Sequence, residues 1–188
     1  LGDMGLEQYH LYDLKAVPAE VNWKLPAEGF LENYHFGPLH QDTVGDYMHN
    51  NRLLVEEIGH HLRLVVLHKD GTITVAFYLF PNIILGFQSG GFITSQQMWP
   101  GEAPEISRTW CRYLDSKPDS SDRKEFMDHM VKLTTKTIED QDFRVTLATQ
   151  KAIKAKKRMQ GINAHNILGK GEPGPQYLYK KISEFICI

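Results

Sequence analysis

The stretch HHLRLVVLHK, residues 60–69, is followed by Asp70-Gly71 and then by TITVAFYLF, residues 72–80. Both apolar runs are rich in β-branched and aromatic residues, and Asp-Gly is a favoured dipeptide in tight turns between strands. The stretch therefore predicts a hairpin of antiparallel strands. More runs of the same kind, separated by Gly or Pro, extend the predicted sheet over residues 83–88, 91–98 and 106–115.

The sequence after this region has a helical period. Beyond a linker at residues 116–121, a set of mostly apolar residues recurs at three- and four-residue steps, which is typical of a helix: Phe126, Met130, Leu133, Thr137, Ile138, Val145, Thr149 and Ile153. This pattern predicts a long helix to about Gln160, with a break near residues 139–141, and a last strand or short helix at 177–185.

A shorter helix is predicted before the sheet, over residues 27–35, with Gly37-Pro38 as its end. The predicted order is therefore a helix, an antiparallel sheet and a long helix that lies across it. This order indicates an α+β domain, and 188 residues suffice for one well-buried core. We expect residues 1–188 to form a single domain.

Composition excludes several classes of function. The net charge of -2 gives no indication of a nucleic-acid partner or an anionic membrane. No apolar run approaches the roughly 18 residues of a membrane span, and the N-terminus lacks the pattern of a signal peptide. The two cysteines form no CxxC, CxH or CxxH motif, so nothing in the sequence indicates a disulfide scaffold, a zinc ribbon or an iron–sulfur cluster. A cytoplasmic location is predicted.

His35 and His40 form a candidate metal-ligand pair. On a continuous helix their spacing would place them about 140° apart, but the predicted break at Gly37-Pro38 allows His40 to fold back toward His35. Glu32 lies on the same helical face as His35, where a carboxylate could orient the imidazole. Two histidines and one distant carboxylate are the ligand set of non-haem Fe(II) oxygenases. The spacing alone favours the simpler interpretation of two unrelated polar histidines.

A resemblance to a known family favours the metal-site interpretation instead. Residues 22–40, NWKLPAEGFLENYHFGPLH, resemble the iron-binding segment of the large subunits of Rieske-type aromatic-ring-hydroxylating oxygenases, and residues 78–82, YLFPN, resemble a strand beside that family's substrate cavity. Residues 139–150, EDQDFRVTLATQ, resemble the helix that supplies the third iron ligand. In the family this Asp precedes a Gln by eight residues, which selects Asp142 over Asp140.

The resemblance implies a fold and a site. The family's catalytic domain has the helix-grip fold (Bet v1-like, START-like), in which a long C-terminal helix packs across a curved antiparallel sheet. His35, His40 and Asp142 would hold one mononuclear Fe(II), and Glu32 would be the catalytic carboxylate that bridges toward a neighbouring subunit's cluster. We expect Asp142 to share a helical face with Val145, Thr146 and Thr149.

The resemblance also implies an activity. Family members hydroxylate an aromatic or other apolar substrate with O2, as mono- or dioxygenases. Electrons come from NAD(P)H through a reductase, sometimes a ferredoxin, and a Rieske [2Fe–2S] cluster, commonly in a trimer of identical subunits. The implied partners of this chain are therefore a small apolar or aromatic substrate, O2, a Rieske domain and a ferredoxin or reductase, with no nucleic acid and no membrane.

The sequence departs from the family at two points. The Cys-x-His and Cys-x-x-His pair that holds the [2Fe–2S] cluster does not occur in the sequence, so that cluster would belong to a missing or partner Rieske domain. Gly29 stands where the family more often has Asn. Two alternatives remain: a binding module that holds an apolar ligand without iron, and a structural metal site, which a fourth protein ligand would normally close.

Overall fold

The computed structural model describes residues 2–117, 119–158 and 168–186. Its centre is one seven-stranded sheet in the order β1-β7-β6-β5-β4-β3-β2, with every pair of neighbours antiparallel. The strands are β1 His10–Ala19, β2 Met48–Ile58, β3 His61–His68, β4 Ile73–Leu79, β5 Ile83–Gln88, β6 Phe92–Pro100 and β7 Ser107–Asp115.

The hairpin that decides the fold is formed by β3 and β4, and the prediction for it is confirmed. Gly71 turns the chain with a φ of 86°, a left-handed conformation that glycine adopts without steric cost. The strands predicted after it correspond to β5, β6 and β7. Because the connections between these strands are short, each strand pairs with the one before it.

The two edge strands, β1 and β2, were not predicted. Charged and polar residues interrupt their apolar runs, as in Asn50, Asn51 and Arg52 of β2, and Pro18 lies within β1. An edge strand has a neighbour on one side only and tolerates both proline and charge. The alternation of apolar and polar residues that indicates a strand is therefore weak in both segments.

Five α-helices accompany the sheet among the described residues. They are α1 Lys24–Phe30, α2 Phe36–Leu39, α3 Ser121–Lys136, α4 Phe143–Arg158 and α5 Pro173–Ile186. A π-helical turn, Thr137–Asp142, joins α3 to α4, so the predicted break in the long helix is confirmed as a change of helical pitch. The predicted end at Gln160 lies outside the described residues, and residues 177–185 belong to α5.

The helix predicted over residues 27–35 was wrong at its C-terminal end. It stops at Phe30, and Gly37-Pro38 lies inside α2 instead of ending a helix. Pro38 is tolerated there because it is the third residue of α2, where a backbone N–H has no acceptor within the helix.

The core lies on one face of the sheet, which we call the inner face and define by Leu62, Leu64, Ala76 and Tyr78. These side chains pack against α1 and α5 in one apolar cluster. A second cluster joins β1 and β7 to α3 and to the helical segment that follows it. The predicted α+β class with an antiparallel sheet and a long helix is confirmed, and the assignment to the helix-grip fold stays a prediction. None of the described helices is long and apolar enough to cross a membrane.

Candidate metal centre

Three residues predicted as ligands come together at the ends of two short elements. His35 and His40 flank α2 as its N-cap and C-cap residues, and Asp142 is the last residue of the π-helical turn. One ligand atom from each lies within 4.8 Å of the other two. A single helical turn therefore brings the two imidazoles together, although a longer helix would have separated them.

The distances within this triad suit a divalent metal. His40 Nε2 lies 3.0 Å from Asp142 Oδ1, and His35 Nε2 lies 3.5 Å from the same oxygen. Ligand atoms about 2 Å from a metal and at right angles to one another are about 3 Å apart. The distances from the two nitrogens to the carboxylate oxygen are therefore compatible with binding of one ion by all three residues.

The second nitrogen of each imidazole faces an acceptor of its own. Nδ1 of His35 contacts Glu32 Oε1, and Nδ1 of His40 lies 2.7 Å from Gln141 Oε1. An acceptor at Nδ1 favours the tautomer whose proton is on that nitrogen, which leaves the Nε2 lone pair free for a metal. His40 is only 1% exposed, so its ring is held on all sides.

Gln141 is held in turn by two neighbours. Its Oε1 accepts a hydrogen bond from Thr43 Oγ1 (2.7 Å), and its Nε2 donates to Asp42 Oδ1 (2.6 Å). These contacts fix which end of the amide faces His40. The sequence analysis missed Gln141, and its position next to Asp142 is the one sequence signal that could have identified it.

The charges in and around the triad favour the binding of a cation. Burial lowers the pKa of His35, but hydrogen bonds with Asp142 and Glu32 outweigh burial and raise that pKa to about 9. Burial raises the pKa of Asp142, but the hydrogen bonds with His35 and His40 outweigh it and lower that pKa. Without metal, a proton on His35 balances the carboxylates, and a bound cation would take the place of that proton.

The backbone around α2 is held from two sides. Asn33 Nδ2 donates to His49 O (3.1 Å), and the Asn50 amide, in the orientation that satisfies both groups, donates to Asn33 O (3.0 Å) and Tyr34 O. On the other side Gly45 N donates to His40 O (2.9 Å). A Cβ on Gly45 would lie 2.6 Å from that same oxygen, so only glycine permits this approach.

The choice of Asp142 over Asp140 agrees with the geometry. Asp140 is exposed, and Val145, which was expected to share the face of Asp142, is 45% exposed. Thr137 and Ile138 line the cavity together with Asp142, and the face expected to join Asp142 to Val145, Thr146 and Thr149 stays a prediction. The π-helical turn inserts an extra residue and rotates the face relative to a regular α-helix.

A cavity of about 140 Å³ opens beside the triad. The three triad residues and Glu32 line one side, and the inner face of β3, β4, β5 and β6 lines the other. The YLFPN segment does not line this cavity. Tyr78 is fully buried in the core, and Asn82 donates to Met98 O at 2.8 Å. These two residues therefore have a structural role outside the cavity lining.

The sequence matches the family model described as ring hydroxylating alpha subunit (catalytic domain) over residues 6–76 and 69–187. The chain belongs to this family of Rieske oxygenase alpha subunits. Catalytic domains of the family use non-haem iron, and the donor set of His35, His40 and Asp142 fits that metal.

Solved structures agree on the fold. The quaternary ammonium Rieske monooxygenase CntA in complex with an inhibitor superposes with a TM-score of 0.78 at 15% identity, over 96% of this chain and 51% of that one. Dicamba monooxygenase bound to 3,6-dichlorosalicylic acid superposes with a TM-score of 0.67 at 11% identity, over 94% and 59%. This chain thus spans about half the length of these neighbours. A search of curated proteins finds no match by sequence.

Proposed function

We propose that this chain is the catalytic domain of a non-haem Fe(II) oxygenase that hydroxylates a small apolar or aromatic substrate with O2. The observation that carries the proposal is the triad of His35, His40 and Asp142, in which each imidazole has its own acceptor on Nδ1. Both solved neighbours are named monooxygenases, which supports insertion of one oxygen atom.

Each part of the site has a role in this proposal. His35, His40 and Asp142 would hold the iron, and bound Fe(II) supplies the reductive activation of O2. The triad borders the cavity. Apolar residues of the cavity lining, such as Leu64, Ile84 and Ile138, would hold the substrate and exclude water. Substrate and metal would therefore meet within one enclosed space.

The geometry does not favour the two alternatives. A module that only holds an apolar ligand has no use for two imidazoles with dedicated acceptors. A structural metal site would need a fourth protein ligand. Among the described residues, no fourth His, Cys, Asp or Glu joins the three.

Iron content tests the proposal. Protein purified without oxygen is expected to hold about one iron per chain, and Asp142→Ala is expected to lose it because one of the three ligands is removed. Asp140→Ala is the matched control, since this exposed carboxylate lies two residues away in the same helical turn. Equal iron content in Asp142→Ala and the unmodified protein, or loss in Asp140→Ala alone, would contradict the assignment.

We further propose that electrons come from NAD(P)H through a Rieske cluster outside this sequence, in a neighbouring subunit of a homotrimer. Glu32 would be the bridge for electron delivery. Its carboxylate contacts His35 Nδ1 and also accepts from Tyr34 N at 2.7 Å. It is thus joined directly to a proposed iron ligand and is not one of the three proposed ligands itself.

Glu32→Gln tests this route. The Gln oxygen can still accept from His35 Nδ1, so we expect iron content to stay nearly unchanged. Electron delivery should be lost when a Rieske partner and reductase are supplied, which single-turnover product yield would measure. A variant that works as well as the unmodified protein would contradict the role of Glu32. Sustained NAD(P)H-dependent hydroxylation by this chain and a reductase alone would contradict the need for a Rieske partner.

A further inference from the structure

The cavity beside the triad has polar groups on the sheet opposite the triad. Thr74 of β4, Gln88 of β5, and Thr94 and Gln96 of β6 all line it from the inner face. Thr74, Thr94 and Gln96 are each 5% exposed. Burial of a hydroxyl or amide group costs free energy unless the group has a hydrogen-bond partner. The partners of these four side chains therefore indicate which of them could bind a ligand.

Three of these residues form a row of hydrogen bonds. The hydroxyl of Thr74 donates to Gln88 Oε1 (2.9 Å), and Gln88 Nε2 donates to Thr94 Oγ1 (3.2 Å). His68 Nε2, at 2.8 Å from Thr74 Oγ1, continues the row toward the surface. Thr94 is therefore used as an acceptor, while its own O–H has no acceptor in the described part of the chain.

Gln96 stands apart from this row. Within the described residues its side-chain amide makes no hydrogen bond, although the residue is 95% buried and faces the cavity. Gln97, next to it on the opposite face of the sheet, accepts from Arg112 Nη1 at 3.2 Å. The cavity face of β6 therefore presents a free amide at Gln96 and a free hydroxyl hydrogen at Thr94.

Gly86 keeps the floor of the cavity open between these groups. It pairs with Thr94 across the sheet. A Cβ at this position would lie 3.0 Å from Gln88 Nε2 and 3.1 Å from Thr94 Oγ1. Glycine thus leaves space in front of the hydrogen-bonding groups, where a ligand atom can approach.

Among the described residues, the sheet side of the cavity offers no charged group for an ionic ligand. No Lys or Arg of the described ranges lines it, and its carboxylates, Glu32 and Asp142, are already engaged with the histidines. Phe30 and Phe36 line it from the helical side, whereas none of the described residues on the sheet side carries an aromatic ring that could hold an ammonium group. An anionic or cationic group would therefore lose its hydration without gaining a partner on the sheet.

We propose that Gln96, assisted by Thr94, binds a neutral hydrogen-bonding group, such as a carbonyl or amide, on an otherwise apolar substrate. This inference rests on the proposed function, because it takes the cavity beside the triad as the substrate site. Gln96 is then a specificity-determining residue that selects for a neutral polar substituent and against charged ones.

Titration with four small probes tests the inference. Benzamide carries the neutral group, toluene lacks it, benzoate is anionic and phenyltrimethylammonium is cationic. Affinities are measured by ligand-observed NMR on the 188-residue chain. We expect benzamide to bind more tightly than the two ions. Gln96→Met should weaken benzamide about tenfold, the loss expected for one buried hydrogen bond, and leave toluene unchanged. Gln97→Met is the matched control and should alter neither.

Several outcomes would overturn the inference: no measurable benzamide binding, equal benzamide affinity in Gln96→Met, or tighter binding of either ion. Iron content measured on the same samples separates this result from the metal site. Normal iron with no effect of Gln96→Met refutes the inference alone, whereas absent iron in the unmodified protein refutes the proposed function.

Discussion

Gln141 and His40 show how much of the metal centre depends on single side chains outside the ligand set. The Gln141 oxygen lies 2.7 Å from His40 Nδ1, and the Gln141 amide nitrogen is held by Asp42. This arrangement fixes the tautomer of a ring that is 1% exposed. Gln141 thus determines which nitrogen of His40 is available to a metal, although Gln141 is not a proposed ligand itself.

Gln141→Leu is therefore expected to lower iron affinity by about 10–100-fold, as is usual when the hydrogen-bond partner of a ligating histidine is removed. Gln141→Glu keeps an acceptor oxygen for His40 but loses the donor to Asp42, so it should retain more affinity than Gln141→Leu and less than the unmodified protein. Competition with a chelator of known affinity measures both variants. Equal affinity in the Leu variant and the unmodified protein would show that the ring is oriented by packing alone.

At the scale of elements, the packing of α5 on the loop after α1 depends on one glycine. Gly174 lies so close to Leu31 that a Cβ would be 2.9 Å from the Leu31 Cβ and closer still to the Leu31 carbonyl. Leu31 and the α5 residue Leu178 are fully buried in the same cluster. A side chain at Gly174 would force α5 away from this core.

We expect Gly174→Ala to destabilise the protein by about 1–3 kcal/mol, the usual cost of overpacking. Gly29 in α1 is the matched control, because a Cβ there meets nothing within 4 Å. Gly29→Ala should be neutral or stabilise by up to about 1 kcal/mol, since alanine favours the helix. Urea denaturation measures both variants, and equal midpoints would show that α5 adjusts at no cost.

At the scale of the whole molecule, Arg123 ties the long helical segment to the sheet. From the first turn of α3 it donates to both oxygens of Asp115 at the end of β7, with Nη2 2.6 Å from Oδ1. It also donates to Gly90 O (2.9 Å) and Gly91 O (3.1 Å) in the turn between β5 and β6. The Asp115 side chain is 3% exposed, so this contact is largely shielded from water.

The contact should make stability depend on pH. Burial raises the pKa of Asp115, but hydrogen bonds from Arg123 outweigh it and hold the pKa below its ordinary value. A lowered pKa in the folded state means that this contribution is fully present above the ordinary pKa of the carboxyl. It is lost as pH falls through the lower folded pKa.

Arg123→Met leaves Asp115 buried without its partner and is expected to cost about 3–5 kcal/mol at neutral pH. The difference from the unmodified protein should shrink below about pH 4, because protonation removes the buried charge. Urea denaturation across pH measures it. A difference that stays constant from neutral to acidic pH would show that the loss comes from packing of Arg123 on Phe126, where the guanidinium lies 4.8 Å from the ring centroid.

The sequence by itself determined the hairpin of β3 and β4, the strands after it and the long helix. Each is a local pattern, in which side-chain period and turn residues act between near neighbours. The ligand residues His35, His40 and Asp142 were also predicted, through the resemblance to the family. A motif of residue types at fixed spacing can be identified without knowledge of the fold.

Only the tertiary structure decided the rest. The edge strands β1 and β2 form because the sheet offers them a partner, which no local period records. The acceptor at Gln141, the approach of Gly45 to α2 and the free amide of Gln96 are contacts across the fold. They depend on which distant elements the core brings together, and a local sequence pattern does not record which glutamine faces a cavity.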